Sequence, residues 1–194
     1  MYTGILILLI AYVLGSVPSA LIVSRLFAGV DIRTLGDGNM GARNVSRTLG
    51  WKRGAIVALI DVGKGLLPVL LARAFGLSLF WQIGAAFCAV LGHDFPIFAH
   101  FQGGQGLAAT LGGLAALAPI EMVWGMTVYG TLFLITRHSD LSAGVGVGLT
   151  VLLMRLFHEP IELVVSSILL IVSVPAKMVL DRPRRMRIAE ARNE

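Results

Sequence analysis

Four stretches of this chain contain no Asp, Glu, Lys or Arg: Met1 to Ser24, Ala74 to His93, Phe95 to Ile120, and Met122 to Thr136. Few folds tolerate such runs. In hydrocarbon every backbone N–H and C=O must be paired within the protein, so runs of this length are read as membrane helices, each needing roughly 20 apolar residues. The chain has 194 residues, is 56% hydrophobic and only 14% charged, and its mean hydropathy is +0.83. That is membrane composition. The pattern predicts an all-α polytopic membrane protein of about seven transmembrane helices, near 2–24, 53–74, 79–99, 106–119, 121–137, 141–157 and 161–180. The 106–119 segment is short and Gly/Ala-rich, as in a tilted or half-buried helix. Residues 1–180 are read as one integral membrane domain and 181–194 as a basic cytoplasmic tail, with no room for a separate soluble domain.

Cations set the orientation. Arg25, Arg33, Arg43, Arg47, Lys52 and Arg53 follow the first span, Arg137 lies between the fifth and sixth, and Lys177, Arg182, Arg184, Arg185, Arg187 and Arg192 lie at or after the last. With seven spans and the N-terminus outside, all of these share the cytoplasmic side. A six-span arrangement would put one of the two basic clusters outside. The first basic residue, Arg25, comes after the first apolar run, so that run is not read as a cleaved signal peptide. Charge that follows the membrane ends reads as topogenic charge beside anionic lipid, not as a nucleic-acid surface. The single cysteine, Cys88, excludes an intrachain disulfide, and no metal site of Cys/His type is expected. Gly112, Gly113, Gly144, Gly146 and Gly148 read first as helix-packing positions.

The segment Asp31 to Gly50 is polar, carries Gly36, Gly38 and Gly41, and contains Arg33, Arg43 and Arg47. Glycines let backbone N–H groups approach an anion and arginines pair with its oxygens, so a loop of this kind beside a membrane suits a phosphate-bearing ligand. Gly36-x-Gly38-x-x-Gly41 matches the dinucleotide fingerprint in letters only, because it follows a membrane span and opens no βαβ unit. The chain has neither a His-x4-Asp pair nor a G-x-S-x-G elbow.

Three further polar clusters interrupt apolar sequence. Asp61 and Lys64 stand three apart within the second span, on one helix face. A charge at that depth costs roughly 2.5–3.5 kcal/mol and is functional by default, although an internal ion pair that only locks helices together is the competing reading. Gly92-His93-Asp94-Phe95-Pro96 closes the third span, and Gly103-Gly104-Gln105-Gly106 opens the fourth, where free N–H groups favour an anion. His93 reads either as an interfacial capping histidine or as a proton-handling group. The third cluster is Arg137-His138-Ser139-Asp140-Leu141-Ser142. In the seven-span topology all three face the cytoplasm.

In this order the motifs resemble the bacterial membrane acyl-phosphate:glycerol-3-phosphate acyltransferases, the PlsY family. Gly15-Ser16-Val17-Pro18 matches the family's G-S-x-P. Asp31 to Gly50 matches its D-I-R-x-x-G-S-G-N-x-G-A-T-N-x-x-R-T-x-G with two changes. Asp61 to Gly65 matches D-x-x-K-G, and Gly92 to Gly106 matches G-H-x-F-P-x-F…F-x-G-G-K-G with one change.

The resemblance implies a seven-span enzyme of the bacterial inner membrane, with its site facing the cytoplasm. It would transfer a fatty acyl group from acyl phosphate to the 1-hydroxyl of glycerol 3-phosphate, giving lysophosphatidic acid and phosphate for phospholipid biosynthesis. No cofactor or metal is implied. An acyl phosphate is already activated, so such a site has to hold two phosphates, place the hydroxyl near the carbonyl and stabilise the leaving phosphate. The implied catalytic residues are His93, Lys64 and Arg47. The implied substrate-binding residues are Asn39, Arg43, Asn44, Gly103, Gly104, Gln105, Gly106 and Ser142, with Ser139 as the other register for the serine; the N–H groups around Gly103, Gly104 and Gly106 would form an anion nest.

The chain departs from the family pattern at Asp37 for serine, Arg43 for threonine and Gln105 for lysine. It also departs at Asp181 to Ile188, where the family has H-R-x-N-I-x-R-L. Gln105 removes a cation from the phosphate site, Asp37 adds an anion beside it, and Arg43 restores one positive charge from elsewhere. The alternative these departures open is a weakly active or inactive paralogue that binds or transports a phosphorylated lipid precursor.

Overall fold

The first apolar run does not form one continuous helix. In the computed structural model, which describes residues 1–190 apart from the side chains at 139, 140, 187, 189 and 190, α1 (Tyr2–Gly15) ends where Ser16-Val17-Pro18 begins, and α2 (Ser19–Ala28) restarts directly after it. Pro18 has no N–H to donate and disfavours helical backbone at the residue before it, so the break falls there. Gly29, at φ 66°, closes α2 in the left-handed conformation that glycine adopts without penalty.

The remaining helices are α3 (Ala42–Leu49), α4 (Trp51–Ala74), α5 (Leu79–Asp94), α6 (Leu107–Leu117), α7 (Pro119–Thr136), α8 (Ser139–Leu156) and α9 (Ile161–Glu190). Among the described residues four stretches are long and apolar enough to cross a membrane: Tyr2–Ala28 taken across the break, Trp51–Ala74, Leu79–Ala99 and Ile161–Met186. Leu107–Leu117 and Leu141–Leu156 are apolar but shorter. The apolar runs thus become helices close to their expected bounds, with α6 as short as its composition suggested. Large apolar side chains such as Leu59, Phe80, Leu134 and Leu169 point outward and are exposed, as lipid-facing positions are.

Helix α4 packs against α1, α5, α6 and α3. Small residues permit this close approach. A Cβ at Gly65 would run into the Ala109 carbonyl of α6, and one at Gly112 into the Val62 carbonyl of α4. Between these helices lies a core that includes Ile7, Ala11, Val69, Ala86, Ala89 and Leu114. A second, smaller core fixes the first loop: Ile32, Met40 and Val45 bury against Ala20, Val23, Val57 and Ala99. Each such side chain contributes about 1.5–3 kcal/mol, which offsets the entropy of ordering a glycine-rich segment. The loop is therefore a built platform, with a short 3-10 turn at Ile32–Thr34 and the two-turn helix α3.

The basic segment after residue 180 does not leave the bundle. α9 runs on as helix to Glu190, supported by a Lys177–Asp181 pair at 2.6 Å and an Arg184–Asp181 pair at 3.6 Å, spaced four and three residues apart on one face. Residues 191–194 of the expected tail lie outside the described residues.

Candidate active site

The break in the first run creates the partners of the intramembrane lysine. Lys64, on α4, donates through Nζ to the Val17 carbonyl at 2.7 Å and to Ser19 Oγ at 3.4 Å, and its ammonium lies 2.7 Å from Asp61 Oδ1. The Ser19 hydroxyl donates to the same Asp61 oxygen at 2.5 Å. Asp61 is 1% and Lys64 7% exposed. Charges buried this deeply persist only when paired and hydrogen-bonded. Here the pairing draws on a carbonyl that a continuous helix would have kept for itself.

His93, in the last turn of α5, completes the cluster. Its Nδ1 stands 3.6 Å from Asp61 Oδ1, too far for a hydrogen bond but close enough for the carboxylate to orient the ring. Asp61 Oδ2, His93 Nδ1 and Ser16 Oγ are buried without hydrogen-bond partners.

The Gly103–Gly106 turn wraps over this histidine. The Gly104 N–H donates to the His93 carbonyl at 3.1 Å. A Cβ on Gly103 would strike the carbonyls of His93 and Asp94, and one on Gly104 would strike the His93 imidazole at Nε2. Glycine is required here for close approach. The same geometry limits the expected anion nest, because the Gly104 N–H is already engaged with the fold. Gln105 has its Nε2 buried without a partner, and Gly106, at φ 70°, starts α6 beside the Asp94 carboxylate.

In the first loop most polar side chains hold the loop itself. Asp31 accepts from the Arg33 N–H at 3.0 Å, from Arg33 Nε at 2.9 Å and Nη2 at 2.6 Å, and from Arg25 Nη2 at 2.9 Å. The Arg33 side chain, first among these donors, holds the Asp31 carboxyl well below the usual carboxylate range. Asn44 is buried, and its amide nitrogen donates to the carbonyls of Leu35 and Asn39 at 3.0 Å each, with a longer 3.4 Å contact to that of Ile32. Its Oδ1 accepts from the Asp37 N–H at 3.3 Å. The Asn44 side chain is thus committed to shaping the loop. Asn39, 6% exposed, keeps Oδ1 buried and unpartnered, which leaves it able to meet a ligand. Arg43 and Arg47 stand exposed on α3.

Asp37 is not the free anion that its place in the motif suggests. Its Oδ1 accepts from the Asn39 N–H at 3.1 Å, and its Oδ2 from Arg185 Nη2 of α9 at 2.6 Å. Two departures from the family pattern, one in the first loop and one in the C-terminal segment, therefore meet as a pair. Three residues further along α9, Ile188 lies where a Cβ on Gly38 would touch it.

The structure thus brings Lys64, His93, Gly103 and Gly104 together, with Gly106 and Gln105 on the same turn. Asn39 and Asn44 sit in the loop, with Arg43 and Arg47 on α3 above it. Ser142 is buried on α8, and its hydroxyl donates to the His138 carbonyl at 2.8 Å; no hydrogen bond joins it to the Lys64–His93 cluster among the described residues. The Ser139 side chain lies outside the described residues. Sequence reasoning missed Ser19 and the Val17 carbonyl, whose only signal was the G-S-x-P break. It also missed the buried Lys177–Asp181 pair, because Lys177 reads as topogenic charge and Asp181 as the start of a departure from the family pattern.

Comparison with known proteins points to one family. Residues 5–182 match the model of the family described as Glycerol-3-phosphate acyltransferase. A glycerol-3-phosphate acyltransferase of Thermus thermophilus is 47% identical over 137 residues, covering 71% of this chain and 67% of the relative. That of Pseudomonas putida is 42% identical over 169 residues, covering 87% and 89%. Among solved structures, PlsY (YgiH), an integral membrane glycerol 3-phosphate acyltransferase, superposes in its glycerol 3-phosphate form with a TM-score of 0.82 at 30% identity, covering 98% of this chain and 94% of that one. In its lysophosphatidic acid form the TM-score is 0.80 at 29% identity.

Proposed function

The chain belongs to the glycerol-3-phosphate acyltransferase family, and from that membership we propose that it transfers a fatty acyl group from acyl phosphate to the 1-hydroxyl of glycerol 3-phosphate. The 1-hydroxyl oxygen attacks the acyl carbonyl carbon. The bond from that carbon to the phosphate oxygen breaks, and phosphate leaves with the electron pair. The hydroxyl proton passes to His93 and on to the departing phosphate, so the products are lysophosphatidic acid and hydrogen phosphate. The observation that carries the reading is the buried cluster of Lys64, Asp61 and His93 under the Gly103–Gly106 turn. It joins a fixed cation to a proton-carrying ring, the two things that a phosphate leaving group and an attacking alcohol need.

His93 handles the proton while Asp61 orients it. Lys64 and Arg47 supply charge to the phosphates. Asn39 offers its unpartnered Oδ1 to a hydroxyl, and Asn44 acts through the loop it shapes. Arg43, Gly103, Gly104, Gln105 and Gly106 complete the proposed substrate surface, whereas Ser142, buried and bonded to the His138 carbonyl, serves to hold the start of α8. The protein is an integral membrane protein. We place it in the bacterial inner membrane with seven crossings, the N-terminus outside, and the site and C-terminus cytoplasmic, because that topology collects the cations of both basic clusters on one side.

The test is turnover by purified protein in detergent. Palmitoyl phosphate plus glycerol 3-phosphate should yield lysophosphatidic acid and inorganic phosphate in equal amounts, whereas palmitoyl coenzyme A should not serve as donor. Binding of glycerol 3-phosphate without turnover would instead favour a binding or transport paralogue.

A further inference from the structure

Gln105 stands where the family pattern has a lysine, so a phosphate at the glycine turn lacks its local cation. A buried cation stands on α9, the helix that packs on both α5 and α6. Lys177, on α9, is 4% exposed. Its Nζ lies 4.9 Å from the centroid of the Phe95 ring, the residue that follows Asp94 at the end of α5. Asp94 lies within electrostatic reach of Lys177 and Asp181, and the same carboxylate touches the position of Gly106, next to Gln105. Helix α9 packs on both α5 and α6.

The inner face of α9 here carries two cations, Lys177 and Arg184, around a single carboxylate, Asp181. Arg184 Nε and Nη2 and Asp181 Oδ2 are buried without hydrogen-bond partners, as are Asp94 Oδ1 and Gln105 Nε2. Buried donors left unused are costly unless something fills them. A phosphate monoester, with its several acceptor oxygens and double charge, is the ligand chemistry that fits an excess of donors over acceptors. Arg43, the cation that the first loop adds to the family pattern, stands exposed on α3.

We propose that Lys177 is a substrate-binding residue: from α9 it supplies the phosphate-binding cation that Gln105 no longer supplies from the glycine turn, with Asp181 holding its ammonium in place and Arg184 balancing Asp181. The proposal rests on the acyl-transfer reading above for its setting and locates one phosphate of that reaction. Glycerol 3-phosphate and acyl phosphate offer the same chemistry, and kinetics tell them apart.

The experiment uses the purified full-length protein and the variant Lys177→Met/Asp181→Asn, which removes the ammonium together with the carboxylate 2.6 Å from it. Expected is a fall in kcat/KM of about ten- to a hundredfold, the range for one lost charge-assisted hydrogen bond. The substrate whose KM rises, glycerol 3-phosphate or palmitoyl phosphate, identifies the phosphate that Lys177 receives. Adding Gln105→Lys to this variant should restore kcat/KM to within about threefold, as expected of two residues serving one site. A folded double variant with unchanged kinetics, or no recovery with Gln105→Lys, overturns the proposal.

If the double variant does not fold, Gln105→Lys in the parent decides. A gain below about threefold supports a site already supplied with its cation, and a larger gain shows that the cation was missing and overturns the proposal. If the parent shows no turnover at all, the acyl-transfer reading fails. Lys177 is then judged on equilibrium dialysis of labelled glycerol 3-phosphate alone, where binding lost in the variant supports it and binding retained overturns it.

Discussion

Arg185 Nη2 lies 2.6 Å from Asp37 Oδ2, joining the first loop to the end of the last helix across 148 residues of sequence. From sequence alone, Asp37 reads as a carboxylate that repels substrate, and its replacement by serine would tighten binding. The pair changes that expectation. Asp37→Ser and Arg185→Leu should each loosen the α9 end from the loop. With the two side chains 31% and 30% exposed, the coupling is expected at about 0.2–1 kcal/mol. A double-mutant cycle on thermal stability should give that coupling, and limited proteolysis should cut near residue 185 faster in each single variant. Additive effects would mean that the contact carries no energy.

Two glycines of α4, Gly63 and Gly65, should respond oppositely to alanine. Gly65 faces the Ala109 carbonyl, whereas the Cβ direction of Gly63 is open. Gly65→Ala should destabilise the protein by about 1–3 kcal/mol through overpacking of backbone against backbone. Gly63→Ala should be neutral or stabilise by about 0.5–1 kcal/mol. Melting in detergent distinguishes them; equal effects would contradict the α4–α6 contact.

Much of this was legible in the sequence, for physical reasons that differ by residue. Charge-free runs must be helices, so the apolar elements appeared near their expected bounds. Asp61 and Lys64 drew attention because a charge at that depth needs a partner, and each proved to be the other's. What was hidden depends on contacts between distant segments. The two-turn helix α3 is too short and polar to be stable alone, and it exists because Val45 reaches Val57 in a shared core. Asn44 looked like a substrate ligand because nothing in its neighbourhood reveals that three carbonyls will fold around it. Lys177 and Arg185 looked like topogenic charge, since a basic segment after a last span gives no hint of a carboxylate waiting on another element.

The Asp31 cluster predicts a pH dependence of known sign. The Arg33 and Arg25 contacts hold the folded carboxyl below its ordinary value, so their stabilisation is present above the unfolded value, about pH 3.9, and is lost as pH falls below it. Asp31→Asn should therefore lower stability at pH 7 by at most about 1 kcal/mol, given the exposure of Arg25. The difference from the parent should shrink on acidification toward pH 3. A gap that widens with acid would reverse the assignment.

Topology is open to direct labelling. Cys88→Ala protein carrying one added cysteine at position 2 or at position 186 should react with an impermeant maleimide from outside the cell at position 2 only. Labelling of position 186 from outside would refute the seven-crossing arrangement.

If acyl transfer occurs at the Asp61–Lys64–His93 cluster, turnover depends on the charges buried there. The most direct measurement is glycerol 3-phosphate-dependent release of phosphate from palmitoyl phosphate, comparing the parent with Lys64→Met/Asp61→Asn. That double variant removes both charges, so neither is left buried alone, and folding is checked by melting and gel filtration. Expected is a variant that folds like the parent and loses at least about a hundredfold in kcat/KM, the scale for removing a fixed charge that stabilises a leaving group. A folded variant that turns over at the parent's rate would show that the pair only locks helices together and would place the chemistry elsewhere.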